Sequence, residues 1–288
     1  MADSRIPVDL SNPGQVFACL GLMEAADALV GEAHGTFDLS AGRERFVLSA
    51  VGDTDPLLAV LIFLIECEVR VATPDGQPAS YGKGSLFESY PSYPRQVYPY
   101  SDPDARDRFP AVLVRDDKTI VIDHWADSAR GDAMKFWAGA GGYPGVALAR
   151  DALALLPRDP MVLHADPFGF QAEQTSSFRF DWRRDYVPID AGFSPNRHAR
   201  IVMVGYPIVE LLAAIGLRHA RPARESRLKY RYHAWGLPLG LAFARAALGA
   251  LDPLWPGMPR RRFLMTLDWP GQEGQAKCIT RVDEETPT

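Results

Sequence analysis

Residues 217–235 read LRHARPARESRLKYRYHAW and hold the densest set of cations in the chain. Arg218, Arg221 and Arg224 come first, followed by Arg227, Lys229 and Arg231 at every second position. In an extended strand, side chains two apart share a face. That puts Arg227, Lys229 and Arg231 on one side and Leu228, Tyr230 and Tyr232 on the other. Like charges in a row along one strand repel unless something anionic lies across them. Polyphosphate suits such a row, because each neutralised phosphate releases condensed counterions. A second basic run, Arg260-Arg261-Arg262, opens a later apolar stretch. These nine side chains are the candidate nucleic-acid contacts. The competing reading is a solvated edge strand whose cations discourage aggregation.

Two other stretches could carry chemistry. Lys135-Phe-Trp-Ala-Gly139-Ala-Gly141-Gly142-Tyr-Pro-Gly145 is a glycine-rich turn that enters a helix. Backbone N–H groups at such a turn suit phosphate, which makes Lys135, Gly139, Gly141 and Gly142 candidate phosphate contacts. It is neither a Walker loop nor a dinucleotide fingerprint, since no Gly-Lys-Ser/Thr follows and Pro144 takes the place of the last glycine. The alternative is a tight turn that needs glycine for its dihedrals. Asp123-His124-Trp125-Ala126-Asp127 offers metal-ligand residue types, in the order Asp–His rather than the His–Asp of metal phosphohydrolases. No second histidine lies at a ligand spacing, so a structural histidine at a polar strand end competes with a metal-dependent nuclease using Asp123, His124 and Asp127.

The motifs of common enzyme classes are missing. There is no G-x-S-x-G, no H-E-x-x-H and no C-x-x-C. The residues therefore point to a binding subunit with no catalytic residues, no cofactor and no metal. Three scattered cysteines, Cys19, Cys67 and Cys278, allow no zinc spacing or disulfide framework and suit a reducing compartment. MADSRIPVDL has no signal pattern, and the longest apolar run is the nine residues Leu57–Ile65, too short for a bilayer. A cytoplasmic protein without membrane contact is expected.

Charge is distributed unevenly. The net charge is −5 over 288 residues, yet residues 1–144 carry −9, residues 145–288 carry +4, and Arg179–Arg231 alone carries +6. An acidic first part could dock a basic partner, and the basic second part could face nucleic acid. Between them in character lies 74–110, rich in Pro, Gly, Ser and Tyr. Tyr90, Tyr93, Tyr98 and Tyr100 are interleaved there with Pro91, Pro94 and Pro99. Such a stretch is extended rather than helical. Its tyrosines, with Lys83 and Arg95, could offer a stacking surface to bases or a partner protein, or pack on their own domain.

The elements that position these residues follow from periodicity. Asn12 caps, and Pro13 opens, a helix that is apolar on most of its circumference to Val30. Ala18, Gly21 and Ala25 form a small-residue ridge that lets another backbone come close. Strands are predicted at Ile6–Leu10, Gly35–Leu39, Arg45–Ala50 and Cys67–Thr73, with a helix capped by Asp55. That order resembles a ferredoxin-like split unit. A strand pair follows at Ala111–Arg115 and Thr119–Asp123, then a helix at Val146–Leu156. Ser176–Trp182 alternates aromatic and polar residues as a strand would. Pro207–Leu217 and Leu239–Leu251 read as helices, and Arg260–Asp268 and Ala276–Val282 as the last strands, before a frayed DEETPT tail. Shifted by 195 positions, Ile6–Leu22 overlies Ile201–Leu217, with Ile6, Ala18, Gly21 and Leu22 repeated. The expected fold is α+β, with mixed and antiparallel sheets, buried helices and two related strand–helix–strand units. The expected division is 1–160, with the Tyr/Pro insertion, and a basic unit 161–288.

Several of these stretches resemble one family. Asn12-Pro13-Gly14-Gln15, Cys19-Leu20-Gly21-Leu22-Met23-Glu24 and Phe37-Asp38 look like the opening of a small CRISPR-associated protein family of type I-G (formerly I-U) systems. Pro207 with Val209–Leu217 and Pro222 looks like its second signature, and Trp235, Leu237-Pro238-Leu239 and Ala244-Arg245 fit as well. The likeness runs from Val8 to about Leu267, with Met23 where leucine is expected. The first signature also resembles the start of the longer large subunits of these complexes. The resemblance implies a non-catalytic, large-subunit-like component of an RNA-guided effector complex. Its partners would be sister subunits, guide RNA and target DNA.

Overall fold

The computed structural model describes residues 1–40, 42–77, 80–81, 85–126, 134–137, 144–184, 202–269, 273 and 276–285. Three four-stranded sheets surround a pair of crossed helices. The first sheet is antiparallel, in the order β1-β3-β2-β14, from β1 (Ala2–Pro7), β2 (His34–Asp38), β3 (Arg45–Ala50) and β14 (Leu239–Gly240). The second, β7-β4-β8-β9, joins β4 (Glu68–Pro74), β7 (Ser89–Tyr93), β8 (Ala111–Arg115) and β9 (Lys118–Ile122), with only β4 and β7 parallel. The third is antiparallel, β12-β13-β15-β16, from β12 (Ala223–Ser226), β13 (Lys229–Trp235), β15 (Arg260–Asp268) and β16 (Cys278–Glu285). Two short ribbons pair β5 (Ser80–Tyr81) with β6 (Ser85–Leu86), and β10 (Ala172–Glu173) with β11 (Val204–Gly205). The class is α+β.

The centre is α1 (Pro13–Leu29), crossed by α5 (Pro207–Gly216). Asn12 accepts the Gly14 N–H through its side chain, and Pro13 occupies the first turn where no donor is lost. From Pro13 to Met23 every residue of α1 is buried, as is every residue of α5. The crossing is close because glycine meets backbone on both sides. A Cβ on Gly21 would overlap the Leu212 carbonyl oxygen and stand 2.6 Å from its carbon. A Cβ on Gly216 would overlap the Phe17 carbonyl oxygen and lie 2.7 Å from the Gly21 nitrogen. The offset of 195 that carries Gly21 to Gly216 also carries Phe17 to Leu212. The two contacts therefore exchange places under it, as they would about a local two-fold axis.

The first sheet keeps the strand order 1-3-2 expected of a split βαββαβ unit. Its fourth strand does not return beside β1. Instead β4 pairs with β7 and β8, and its residues Val71–Pro74 are buried, so this strand is less one-sided than its alternation implied. Helix α2 (Pro56–Glu66) is capped by Asp55, which accepts the Leu58 N–H and also binds Ser4 Oγ at 2.7 Å and His164 Nε2 at 2.7 Å. His164 ends α4 (Met161–His164). Helix α3 (Gly145–Leu153) packs on α5 and β4, and α6 (Leu241–Gly249) packs on β13 and α1. Elements from either side of residue 160 thus share one core.

Three expectations about elements are corrected. The first strand spans Ala2–Pro7 rather than Ile6–Leu10, and the chain already turns at Leu10, ahead of the Asn12 cap. Ser176–Trp182 is not a strand, because Arg179 takes a left-handed conformation with φ of 70° and breaks the extended run. Its aromatic alternation survives as packing: Phe178 and Phe180 are buried among His124, Trp125, Trp137 and Phe136. The tail is ordered through Glu285, since Asp283, Glu284 and Glu285 are the last rungs of β16 against Leu264, Phe263 and Arg262.

Candidate nucleic-acid interface

The cationic stretch forms the strand expected, with Arg227 in the turn before it rather than on it. On β13, Tyr230 and Tyr232 turn into the core, and Tyr232 donates to the Leu10 carbonyl at 2.9 Å. Lys229 and Arg231 face outward, but the row they begin is answered by carboxylates of the same chain. Arg231 lies between Glu285 (Nε–O 2.6 Å) and Glu225 (Nη1–O 2.7 Å). Glu285 also takes Arg262 at 3.0 Å, so one carboxylate joins two neighbouring strands. Arg261 points to the opposite face and is held by Glu284 (2.6 Å) and Glu44 (2.8 Å). These hydrogen-bonded carboxylates push the Arg231 and Arg261 guanidinium pKa values upward and hold those of Glu284 and Glu285 down.

The remaining candidates are dispersed. Arg218 reaches Asp123 at 3.4 Å, a carboxylate that also accepts the Tyr100 hydroxyl at 2.8 Å. Arg221 donates to the His124 and Ala220 carbonyls. Arg260 donates to the Ala250 carbonyl at 3.0 Å and the Leu251 carbonyl at 2.8 Å, fixing the chain beyond α6. The Arg224 side chain donates to the Ser226 carbonyl at 3.4 Å, its one hydrogen bond among the described residues. Arg227 is 67% exposed, pairs with Glu273 at 3.3 Å and lies over the Trp269 ring at 5.0 Å. Lys229 is exposed and sits opposite Thr266, with no carboxylate partner among the described residues. The nine cations therefore do not converge. Arg224, Arg227 and Lys229, at the turn end of the third sheet, remain the most available to an external anion.

The other candidates are resolved unevenly. Lys135 pairs with Asp107 at 3.6 Å and lies over the Trp137 ring, while Gly139, Gly141 and Gly142 lie outside the described residues. His124 is buried against Trp125, Trp137, Phe178 and Phe180, and its Nδ1 faces the Ala214 carbonyl at 3.2 Å. Burial pushes its pKa well below the usual value, aided by the nearby Arg221 charge. It stands among aromatic rings and is 1% exposed. Asp127 lies outside the described residues, and among those described no group of His, Cys, Asp and Glu is placed to hold a metal.

In the Tyr/Pro stretch, Tyr93, Tyr98 and Tyr100 stack edge to face on one another, and Tyr98 donates to the Ala72 carbonyl. These rings serve their own domain, and Arg95 is paired with Asp104 at 2.6 Å. Lys83 and the Tyr90 side chain lie outside the described residues.

His233, on the same strand as Lys229, makes a pH-dependent contribution. Its Nδ1 faces the Leu248 carbonyl at 3.2 Å, and its buried Nε2 has no hydrogen-bond partner among the described residues. Burial, helped by Arg260, Arg262 and Arg231, lowers its pKa to about 4. An unfolded histidine titrates near ~6.5. Between those values the unfolded chain takes up a proton that the folded one refuses. Stability is therefore present above ~6.5 and lost as pH falls toward 4, on the order of 3 kcal/mol at the acid end. Glu210 works in the opposite sense, since burial raises its pKa to about 7. His233→Asn keeps a donor toward Leu248 and removes the titration. Its urea midpoint is expected to change less between pH 7.5 and 4.5 than that of the native chain.

Compared with family models, with curated proteins and with solved structures, the chain matches none of them.

Proposed function

We propose that this α+β protein is a non-catalytic, large-subunit-like component of a type I-G CRISPR effector complex, one that holds sister subunits and touches guide RNA or target DNA. The observation that carries the reading is where the signature-like residues lie. Asn12 caps α1 and donates to Asp181 at 2.9 Å. Gly21 and Gly216 make the helix crossing. Glu24 forms a two-bond ion pair with Arg245 of α6, at 2.6 and 2.7 Å. Trp235 donates to the Gly35 carbonyl at 2.9 Å and stands edge-on to Phe37. The first three sets join α1 to its neighbours, and Trp235 ties β13 to β2, as a scaffold requires. None is arranged as a nucleophile with a base.

In this reading the contact with nucleic acid falls mainly to Arg224, Arg227 and Lys229, and the protein works in the cytoplasm. Among the described residues no helix is long and apolar enough to cross a membrane. The test is co-expression of a tagged chain with the remaining effector subunits and a guide RNA. Co-elution of the chain with both is expected. Elution of the chain alone, with the other subunits assembling normally without it, would end this reading.

A further inference from the structure

A groove of about 390 Å³ opens where the β2–β3 hairpin meets the start of α1 and the segment around Asp166. Two of its polar walls are held by one end and leave the other end unused. Gln15 is 4% exposed, and its Oε1 accepts the Asp9 N–H at 2.7 Å. Its Nε2 has no partner among the described residues. Arg183 is held by Asp181, whose side chain is fully buried, through Nε and Nη2. It also donates to the Phe168 carbonyl at 2.7 Å and stacks on Tyr206 at 3.5 Å. Its Nη1 is left over in the same way. A guanidinium fixed on three sides loses little entropy when a ligand arrives.

The rest of the lining limits what the ligand can be. Arg43 and Arg45 stand exposed at the rim, while Asp9 and Asp166 offer acceptors that already turn toward Ser11 and Gly169. Glu44, the third acid, is tied to Arg261. Three arginines facing three acids give no excess positive charge, so a bare phosphate gains little in the groove itself. A neutral group with its own donors and acceptors fits better, and the rim arginines suit anions on either side of it. Grooves from about 300 Å³ upward hold small ligands, and unstacked bases are read by side-chain donors on their edges.

We propose that this groove holds one unpaired nucleotide of a nucleic-acid strand, its base edge against Gln15 and Arg183 and its flanking phosphates on Arg43 and Arg45. The inference rests on the nucleic-acid reading above and locates a contact apart from the third sheet. The test is fluorescence anisotropy of the full chain with labelled 12-nucleotide single strands of DNA and of RNA, and with the matching duplexes. Gln15→Glu keeps the size and the bond to Asp9 and turns the spare donors into acceptors. It is expected to weaken single-strand binding at least tenfold, with duplex binding unchanged. Arg43→Ala with Arg45→Ala is expected to weaken it severalfold and to lower the slope against log salt by about 1.4. The DNA and RNA arms identify the strand. If Gln15→Glu lowers the thermal midpoint, the rim pair, which is exposed, decides alone. Native-like single-strand affinity in the rim pair overturns the proposal, as do equal affinities for single strand and duplex, or no binding by the native chain. If the chain still co-elutes with the effector subunits in that case, only the groove assignment is lost.

Discussion

Gly21→Ala is expected to cost about 3 kcal/mol or more of folding stability, measured as a shift of the urea midpoint at constant slope. The added methyl would fall on the backbone of Leu212. A backbone in a helix buried at every residue cannot move aside as a flexible side chain does. The helices would have to separate, opening gaps along a core in which packing is as dense as in a crystal. Gly216→Ala is expected to cost a similar amount, because its Cβ meets Phe17 and Gly21 in the same way. The double variant is expected to fall short of the sum, since one separation relieves both overlaps. Native stability in either single variant would mean that the crossing is looser than described.

Asp181→Ala carries the second large effect, about 3–5 kcal/mol. The Asp181 carboxylate is buried and accepts from Asn12 Nδ2, from the Arg183 side chain and from the Arg183 N–H. Its removal leaves a half-buried guanidinium without a counter-charge and the cap of α1 without its outer support. Breaking a buried pair in this way costs far more than a surface pair contributes. Glu210 reports the change independently. It accepts the Phe180 and Asp181 N–H groups beside that carboxylate, whose charge helps raise its pKa to about 7. In Asp181→Asn the Glu210 titration, followed by carboxyl carbon NMR, is expected to move to lower pH. An unmoved Glu210 together with native stability would contradict this arrangement.

Local signals in the sequence were sufficient for most of the elements. Asn12-Pro13 and Asp55-Pro56 start the two helices that those residues announce, and the strand expected at Arg260–Asp268 has those bounds. The small-residue ridge of α1 marks a close approach, but its partner does not show: the 195-residue offset suggests two related units without saying that their helices cross. Long-range pairing was harder to read. That β4 leaves the first sheet depends on β7 and β8, which lie within and beyond a proline-rich stretch lacking any strand periodicity. The cationic row is visible in the sequence, but two of its main counter-charges, Glu284 and Glu285, lie in the DEETPT stretch that reads as a frayed tail, 54 residues beyond Arg231 in the case of Glu285. A hint was present: extending the final hairpin by three residues sets Asp283-Glu284-Glu285 against Arg262-Phe263-Leu264. Charge counted by segment missed this because a sheet brings distant segments into register. The role of Arg183 was equally hidden, since nothing local shows that Asp181, two residues earlier, is buried.

Most of the arginines are held by the protein's own carboxylates and backbone carbonyls, and external anions meet chiefly the exposed end formed by Arg224, Arg227 and Lys229. The direct measurement is the salt dependence of oligonucleotide affinity for two double variants of the purified chain, alongside their urea midpoints. Arg227→Ala with Lys229→Ala is expected to lower the slope of log K against log salt by up to about 1.8 on duplex DNA, with the midpoint unchanged. Arg231→Ala with Arg262→Ala is expected to lower the midpoint and leave the slope as it was. The opposite pattern, with the slope lost only in the second pair, would show that Glu225 and Glu285 yield those arginines to nucleic acid, and would contradict the account.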